Sequence, residues 1–306
     1  MIVALAGGVG AARMLRGILA VAEPSDVTAI VNTGDDIVLH GLHISPDLDT
    51  ITYTLAEAIS REQGWGLEGE TWNAMEALSR YGGETWFRLG DRDLATHLYR
   101  TQRRSEGATL TEVTSEIVSA WGLALRLLPM SDGRIETRIT VAGEGEIGFQ
   151  EYFVGRQHSV AAESVRFVGV ESAVPGPDVV RSIEAATRVV ICPSNPIVSI
   201  GPVLAVPGVA GAMRSRRDDV VAVSPIIAGA ALKGPADRLL TELGHESSVV
   251  GVARIYAEFA ATLVIDDADA ELVDAVEAAG MRAVVAPTIM KGAAEAAALA
   301  KVVLTS

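Results

Sequence analysis

Cysteine occurs once in this chain of 306 residues, lysine three times, and aromatic side chains make up only 5% of it. A single thiol, Cys192, excludes an internal disulfide and any zinc site built on cysteines. It precedes Pro193 at the end of an apolar run, where a thiol is expected to act as a small core residue. Basic charge is scarce as well. Lysines and arginines number 25 against 39 aspartates and glutamates, a formal net charge of −14. A general attraction to nucleic acid or to an anionic membrane is therefore not expected. An anionic ligand would have to be held by local devices: a helix N-terminus, a few arginines or a metal ion. Long apolar runs are missing too. The chain opens on "MIVALAGG" with no basic leader, and the uncharged stretch 189–213 is interrupted by Pro193, Asn195, Pro196, Pro202 and Pro207. Those residues break a would-be membrane span into strand, loop and helix. The expectation is a cytoplasmic protein.

What is present suits helices packed on a sheet. Hydrophobic residues make up 49% of the chain, chiefly Ala, Val, Leu and Ile, and strands buried on both faces read as continuous runs of such residues. Ile2–Leu5, "VTAIVN", "RVVIC", "VVAVSPI", "TLVIDD" and "RAVVAPT" are runs of this kind. Met14, Leu15, Ile18 and Leu19 recur at helical spacing. Residues 61–120 have a helical pattern with more charge, and 125–170 alternate as strands do. The predicted class is α/β. A Rossmann-like, mostly parallel sheet flanked by helices would come from 1–60 and 160–306. A mainly helical insertion, 61–159, would belong to the same compact unit.

Two stretches near the N-terminus carry chemistry. "AGGVGAAR" lies between strand and helix, so its backbone N–H groups can approach an anion at the positive end of the helix. A Walker A loop would need Gly-Lys-Ser/Thr, which is absent. The dinucleotide fingerprint would need Gly or Ala where Arg13 stands, although Arg13 could itself point at a phosphate. A plain tight turn with a surface arginine would leave the same trace. The second stretch, "NTGDDIVLHGLHISPDLDT", follows the second strand, where open α/β sheets place their ligands. Asp35 and Asp49, converging beside the glycine turn, suggest a hard divalent cation such as Mg²⁺. Asp36 and Asp47 read more simply as solvated or capping acids. Asp49 or Thr50 is expected to cap the helix that follows. His40 and His43 lack a third nitrogen or sulfur ligand, which argues against zinc.

Three weaker signals sit at other strand or helix ends. In "WFRLGDRDLATHLYRTQ", Trp86, Phe87 and Arg88 offer planar apolar surface with a cation. In "PSNPIVSIGP", Ser194 and Asn195 are held between prolines, and an amide there can pair with a purine edge. In "SPIIAGAALKGPADRLL", Gly229, Lys233 and Gly234 form a small-residue loop with one cation. All could face one cleft.

Taken together, "GGVGAARML", "IVNTGDD", "LHGLHISPDLDT", "WFRLGDRDLATHLYRT", "PSNPIVSIGP" and "SPIIAGAALKGPAD" resemble the 2-phospho-L-lactate transferase family of deazaflavin coenzyme F-420 biosynthesis. The resemblance runs from the first strand to the last helices. It implies a Mg²⁺-dependent homodimer that joins the deazaflavin Fo to a phospho-acid group taken from a guanosine diphosphate conjugate, with GMP leaving. The donor would be lactyl-diphospho-guanosine, as in archaeal members, or its enolpyruvyl analogue, as in actinobacterial ones. The lysine-poor, Ala-, Val- and Arg-rich composition leans toward the enolpyruvyl branch. By the resemblance Asp49 falls at the Fo-binding aspartate and Arg88 at a second Fo contact. Asp49, Asp35 and Arg13 would be catalytic, and Asp35 and Asp49 would be the metal ligands. Gly7, Gly8, Gly10 and Ala11 would hold phosphate, and Ser194, Asn195, Lys233 and Gly234 the guanosine part. Two rival readings remain on the sequence alone. In an NAD-dependent oxidoreductase Asp35 would bind a ribose, though Arg13 and the lack of a hydride-transfer partner speak against it. The other is a nucleotide-binding protein without turnover.

Overall fold

The computed structural model describes residues 1–306. Seven strands form one parallel sheet: β1 (Ile2–Ala6), β2 (Val27–Val31), β3 (Arg126–Pro129), β4 (Arg188–Ile191), β5 (Val220–Val223), β6 (Thr262–Ile265) and β7 (Arg282–Val285). Their spatial order is β7-β6-β5-β4-β1-β2-β3. The chain builds outward from β1 through β2 to β3, then returns to the other side of β1 and builds outward again. The strand order reverses between β1 and β4, where a crevice opens at the carboxyl ends of the strands.

Both faces of the sheet are covered, which is why its strands lack a polar alternation. Val3 and Leu5 face one apolar cluster, and Ala4 and Ala6 face the other. The alanine face lets helix α1 (Gly8–Leu19) lie close, and α1 packs in turn on the C-terminal helix Ala293–Thr305. The uncharged stretch 189–213 resolves into β4, a π-turn and two short buried helices bent by 95°. No single helix is long and apolar enough to cross a membrane.

Helix α2 spans Pro46–Leu55, so it starts three residues before the expected cap at Asp49. Pro46 explains the shift: its fixed φ suits the first helical position and it has no N–H to leave unpaired. Asp47 and Asp49 then fall in the first turn, where the helix dipole favours anions. Helices Asp93–Ser105 (α3) and Leu110–Ala120 (α4), with the short helix Asn73–Ser79, supply the helical part of 61–159, α4 opening on a Thr109–Glu112 capping box. The segment is not set apart from the core. Its residues 126–129 form the edge strand β3, and its Glu136–Val141 is the central strand of a separate antiparallel sheet, between Gly145–Gly148 and Ala162–Val168.

Candidate active site

The glycine turn lies at the strand reversal, between the ends of β1 and β4. Gly8 has φ +72°, a conformation that disfavours any side chain. Gly10 is pressed on the chain leaving β4, and a Cβ there would sit 2.1 Å from the Pro193 carbonyl oxygen. The Ser194 hydroxyl donates to the Gly7 carbonyl at 2.8 Å and ties the two loops together. Ser194 is thus spent on the turn itself. Ala11 is fully buried and its methyl packs in the core beneath the helix, away from the cavity. Arg13 reaches the cavity wall, half-buried, with one nitrogen 3.4 Å from the Met290 carbonyl.

Next to the turn lies a group of buried acids. Asn32, at the end of β2, accepts from the Gly34 N–H at 2.8 Å. Its amide nitrogen donates to Asp35 at 3.1 Å and to Asp47 at 3.0 Å. Asp35 also accepts from Gln150 at 3.0 Å, and the Ser45 hydroxyl donates to Asp36 at 2.6 Å. Burial, with Asp47 and Asp36 nearby, pushes the Asp35 carboxyl well above the usual range. Burial does the same to Asp36. Asp47 is pushed up to about 6 by burial, against the opposing hydrogen bonds of Asn32 and the Gly8 backbone. Asp47 was expected to be a solvated or capping acid; it is 7% exposed and lines the cavity.

Asp49 has a different surrounding. Both its oxygens take hydrogen bonds from the guanidinium of Arg100, which is 2% exposed. His97 sits between this pair and Asp93, with Nδ1 3.7 Å from Asp49 and Nε2 3.2 Å from Asp93. The Tyr53 hydroxyl donates to Asp93 at 2.6 Å. Burial works to raise the Asp93 carboxyl, but its bond to His97 and the Tyr53 hydroxyl win, and the net direction is down. Asp49, Asp93 and His97 offer ligand atoms within 4.8 Å of one another, a possible metal triad. Each of the three already has a protein partner of opposite or complementary character. Asp35 and Asp47 have only neutral amides, and the ion pairs nearby all go to Asp49 and Asp93. Buried carboxylate oxygens without a cation are the set a hard divalent ion needs. Asp35 and Asp47 have that character, while Asp49 offers its oxygens beside Asp93 and His97.

These groups open on one cavity of about 710 Å³. Its other walls are aromatic and apolar: Trp65, Trp86, Phe87, Phe149 and Phe153. The rings of Phe149 and Phe153 stack at 5.6 Å with 4° between planes. Arg88 also lines the cavity and lies 4.0 Å over the Trp72 ring. Lys233 and Gly234 lie on an exposed loop across the mouth, where Lys233 Nζ comes close to Gly64. Asn195 caps the turn at 196–200 through its carbonyl oxygen, which leaves its buried amide nitrogen without a partner. Of the residues singled out in the sequence, Gly7, Gly8, Gly10, Arg13, Asp35, Asp49, Arg88, Ser194, Asn195, Lys233 and Gly234 therefore share one cavity. Asn32, Tyr53, Asp93, His97, Arg100, Phe149 and Gln150 carry much of the geometry and were not singled out. The signal for three of them was the i, i+4 and i+7 spacing of Asp93, His97 and Arg100, which puts them on one face of α3.

A family model, "2-phospho-L-lactate transferase CofD", matches residues 2–298. Among curated proteins, a phosphoenolpyruvate transferase of Streptomyces griseus is 47% identical over 305 residues, covering 98% of this chain and 96% of its own. Proteins of the same description from Nocardia farcinica and Mycolicibacterium smegmatis are 43% and 45% identical over 94% and 87% of this chain, and 89% and 86% of theirs. Among solved structures, a UPF0052 family protein of Bacillus halodurans superposes with a TM-score of 0.64 at 15% identity, covering 99% of this chain and 98% of that one. At that identity the likeness speaks for the fold alone.

Proposed function

The chain belongs to the 2-phospho-L-lactate transferase CofD family, and from that membership we propose that it transfers an enolpyruvyl-phosphoryl group from enolpyruvyl-diphospho-guanosine to the deazaflavin Fo, releasing GMP and forming dehydro-coenzyme F-420-0. The enolpyruvyl donor is preferred over the lactyl one because the similar curated proteins are phosphoenolpyruvate transferases. Mg²⁺ dependence, a homodimer and a cytoplasmic site of action are part of the same reading.

The observation that carries it is the division of one cavity. Its polar end has a helix N-terminus, Arg13 and the Asp35–Asp47 pair; its other end is an aromatic wall. A diphosphate suits the first and a flat tricyclic ring the second. The N–H groups at the start of α1, with Arg13, would hold the diphosphate. The free amide nitrogen of Asn195 and the Lys233 loop would contact the guanosine part. Asp35 and Asp47 would hold Mg²⁺, which when bound neutralises phosphate charge.

The deazaflavin ring would lie along Phe149, Phe153 and Trp86, with Arg88 at its edge. A terminal ribityl hydroxyl then attacks the phosphorus that bears the enolpyruvyl group. The new P–O bond forms as the bond to the GMP oxygen breaks; the departing GMP takes the electron pair, and the proton of the attacking hydroxyl passes to the GMP phosphate or to water. Asp49, fixed by Arg100, would orient that hydroxyl rather than ligate the metal. Little covalent work falls to the side chains, so positioning and charge compensation supply most of the acceleration. The test mixes purified protein, Mg²⁺ and Fo with each guanosine donor separately and follows GMP and phosphorylated deazaflavin by chromatography. Product from the enolpyruvyl donor is expected. Absence of GMP with both donors overturns the reading.

A further inference from the structure

Asn32 is 1% exposed and donates to two carboxylates that arrive on different loops, Asp35 on its own and Asp47 on the first turn of α2. Its orientation is fixed by chemistry. Only its oxygen can accept from the Gly34 N–H, so its NH₂ group must face the acids. Gly34 leaves no room for a side chain: a Cβ there would sit 2.8 Å from Thr137 Oγ1 and 3.0 Å from the Asn32 oxygen. Each acid keeps a second oxygen not bound by Asn32. On Asp35 it accepts from Gln150, and on Asp47 it lies on the side of Gly8 in the glycine turn.

Two anions packed together in a dry pocket repel each other and drift apart unless something bridges them. Asn32 is the side chain that hydrogen-bonds to both. We infer that Asn32 is a positioning residue for a divalent cation: it holds Asp35 and Asp47 at a fixed separation and leaves one oxygen of each directed to the ion. The inference rests on the proposed function, in which those two acids hold Mg²⁺. A neutral donor suits the task, since a lysine or arginine in its place would compete with the ion for the same oxygens. Groups that orient ligands in this way commonly change metal affinity by about 10–100-fold when removed.

The test measures Mn²⁺ binding to the whole protein by electron paramagnetic resonance, with no substrate present. Wild type is compared with Asn32→Ala, Asn32→Ser, Gln150→Leu and Asp47→Asn, and near-UV circular dichroism checks that each is folded. Asn32→Ala is expected to weaken Mn²⁺ binding by about 10–100-fold. Gln150→Leu, which loses a donor to one acid only, is expected to weaken it less. Asn32→Ser can accept from Gly34 or reach one acid but cannot bridge both; it should fall between, and it serves in place of Asn32→Ala should that variant not fold. Mn²⁺ affinity within threefold of wild type in the Asn32 variants, with binding lost in Asp47→Asn, overturns the positioning role and leaves the metal site standing. Unchanged affinity in Asp47→Asn instead overturns the metal site itself.

Discussion

A guanidinium that is 2% exposed carries a desolvation cost of several kcal/mol, so Arg100 has to be held by its partners. Burial works to lower its proton affinity; the two hydrogen bonds and the charge of Asp49 outweigh this and the net direction is up. Removing either member leaves the other charged and alone. Arg100→Met is expected to destabilise the fold by about 3–5 kcal/mol, read from urea unfolding. Asp49→Asn combined with Arg100→Met should recover most of that loss, because a neutral pair needs no compensation. The double variant should still bind deazaflavin poorly, measured by its fluorescence, since the oriented carboxylate is gone. Recovery of both stability and binding would remove Asp49 from the acceptor site. Only part of this is legible in "DLATHLYRTQRR". The spacing of Asp93, His97 and Arg100 puts them on one helix face, but nothing local shows that the partner of Arg100 is Asp49, 51 residues away, while Arg103 pairs with Glu106 and Glu116 and Arg104 donates to the Ala108 carbonyl.

The glycine turn is the element whose geometry the site depends on most. Gly10→Ala would drive a methyl group into the Pro193 carbonyl, 2.1 Å from the ideal Cβ position. The start of α1 and the end of β4 would have to separate. An overpacking cost of about 1–3 kcal/mol is expected, together with weaker binding of GMP by calorimetry. Gly211 is the control. It lies within the helix Val209–Ser215 and a Cβ there meets nothing within 4 Å. Gly211→Ala should stabilise by roughly 0.4–1 kcal/mol and leave GMP binding unchanged. Equal losses in the two variants would mean that the turn has no special role. Elements of this kind were the most legible in the sequence, because a buried strand, a glycine cluster and an amphipathic helix follow one another within twenty residues. The edge strand β3 was less so. "RLLP" is short, and its pairing with β2, about a hundred residues earlier, leaves no local trace. The start of α2 lies four or five residues before the one a cap at Asp49 or Thr50 predicts, because the preference of proline for the first helical position outweighs the capping role of an acid.

At the scale of the molecule, a chain of net charge −14 buries three of its own carboxyls, Asp35, Asp36 and Asp47, beside one cleft and ties two of them to a single amide. This arrangement makes stability depend on pH in a definite direction. Asp47 titrates at about 6 in the folded protein, above the usual carboxylate value near 3.8. Near pH 4 the folded state keeps this proton while the unfolded state begins to lose it, so stability falls as pH rises. The fall from this group ends above about pH 6, where it is ionised in both states, and amounts to a few kcal/mol shared with the neighbouring Asp35. Asp35 and Asp36 shift the same way and add to the trend. Surface acids such as Glu116, held down to about 2 by Arg103, act oppositely, but their gain is nearly complete by about pH 5. A cation bound by the ionised pair stabilises the folded state by mass action and does so most where the carboxylates are charged. In the presence of a chelator, Tm is expected to drop by several degrees between pH 5 and 7.5. With millimolar Mg²⁺ the drop should shrink or vanish, while Tm at pH 5 hardly moves. Scanning calorimetry with and without Mg²⁺ reads both. A Mg²⁺ effect of equal size at the two pH values would locate the ion away from Asp35 and Asp47, and the same scan on Asp47→Asn, with a smaller drop over this range and no response to Mg²⁺, ties the effect to that carboxylate.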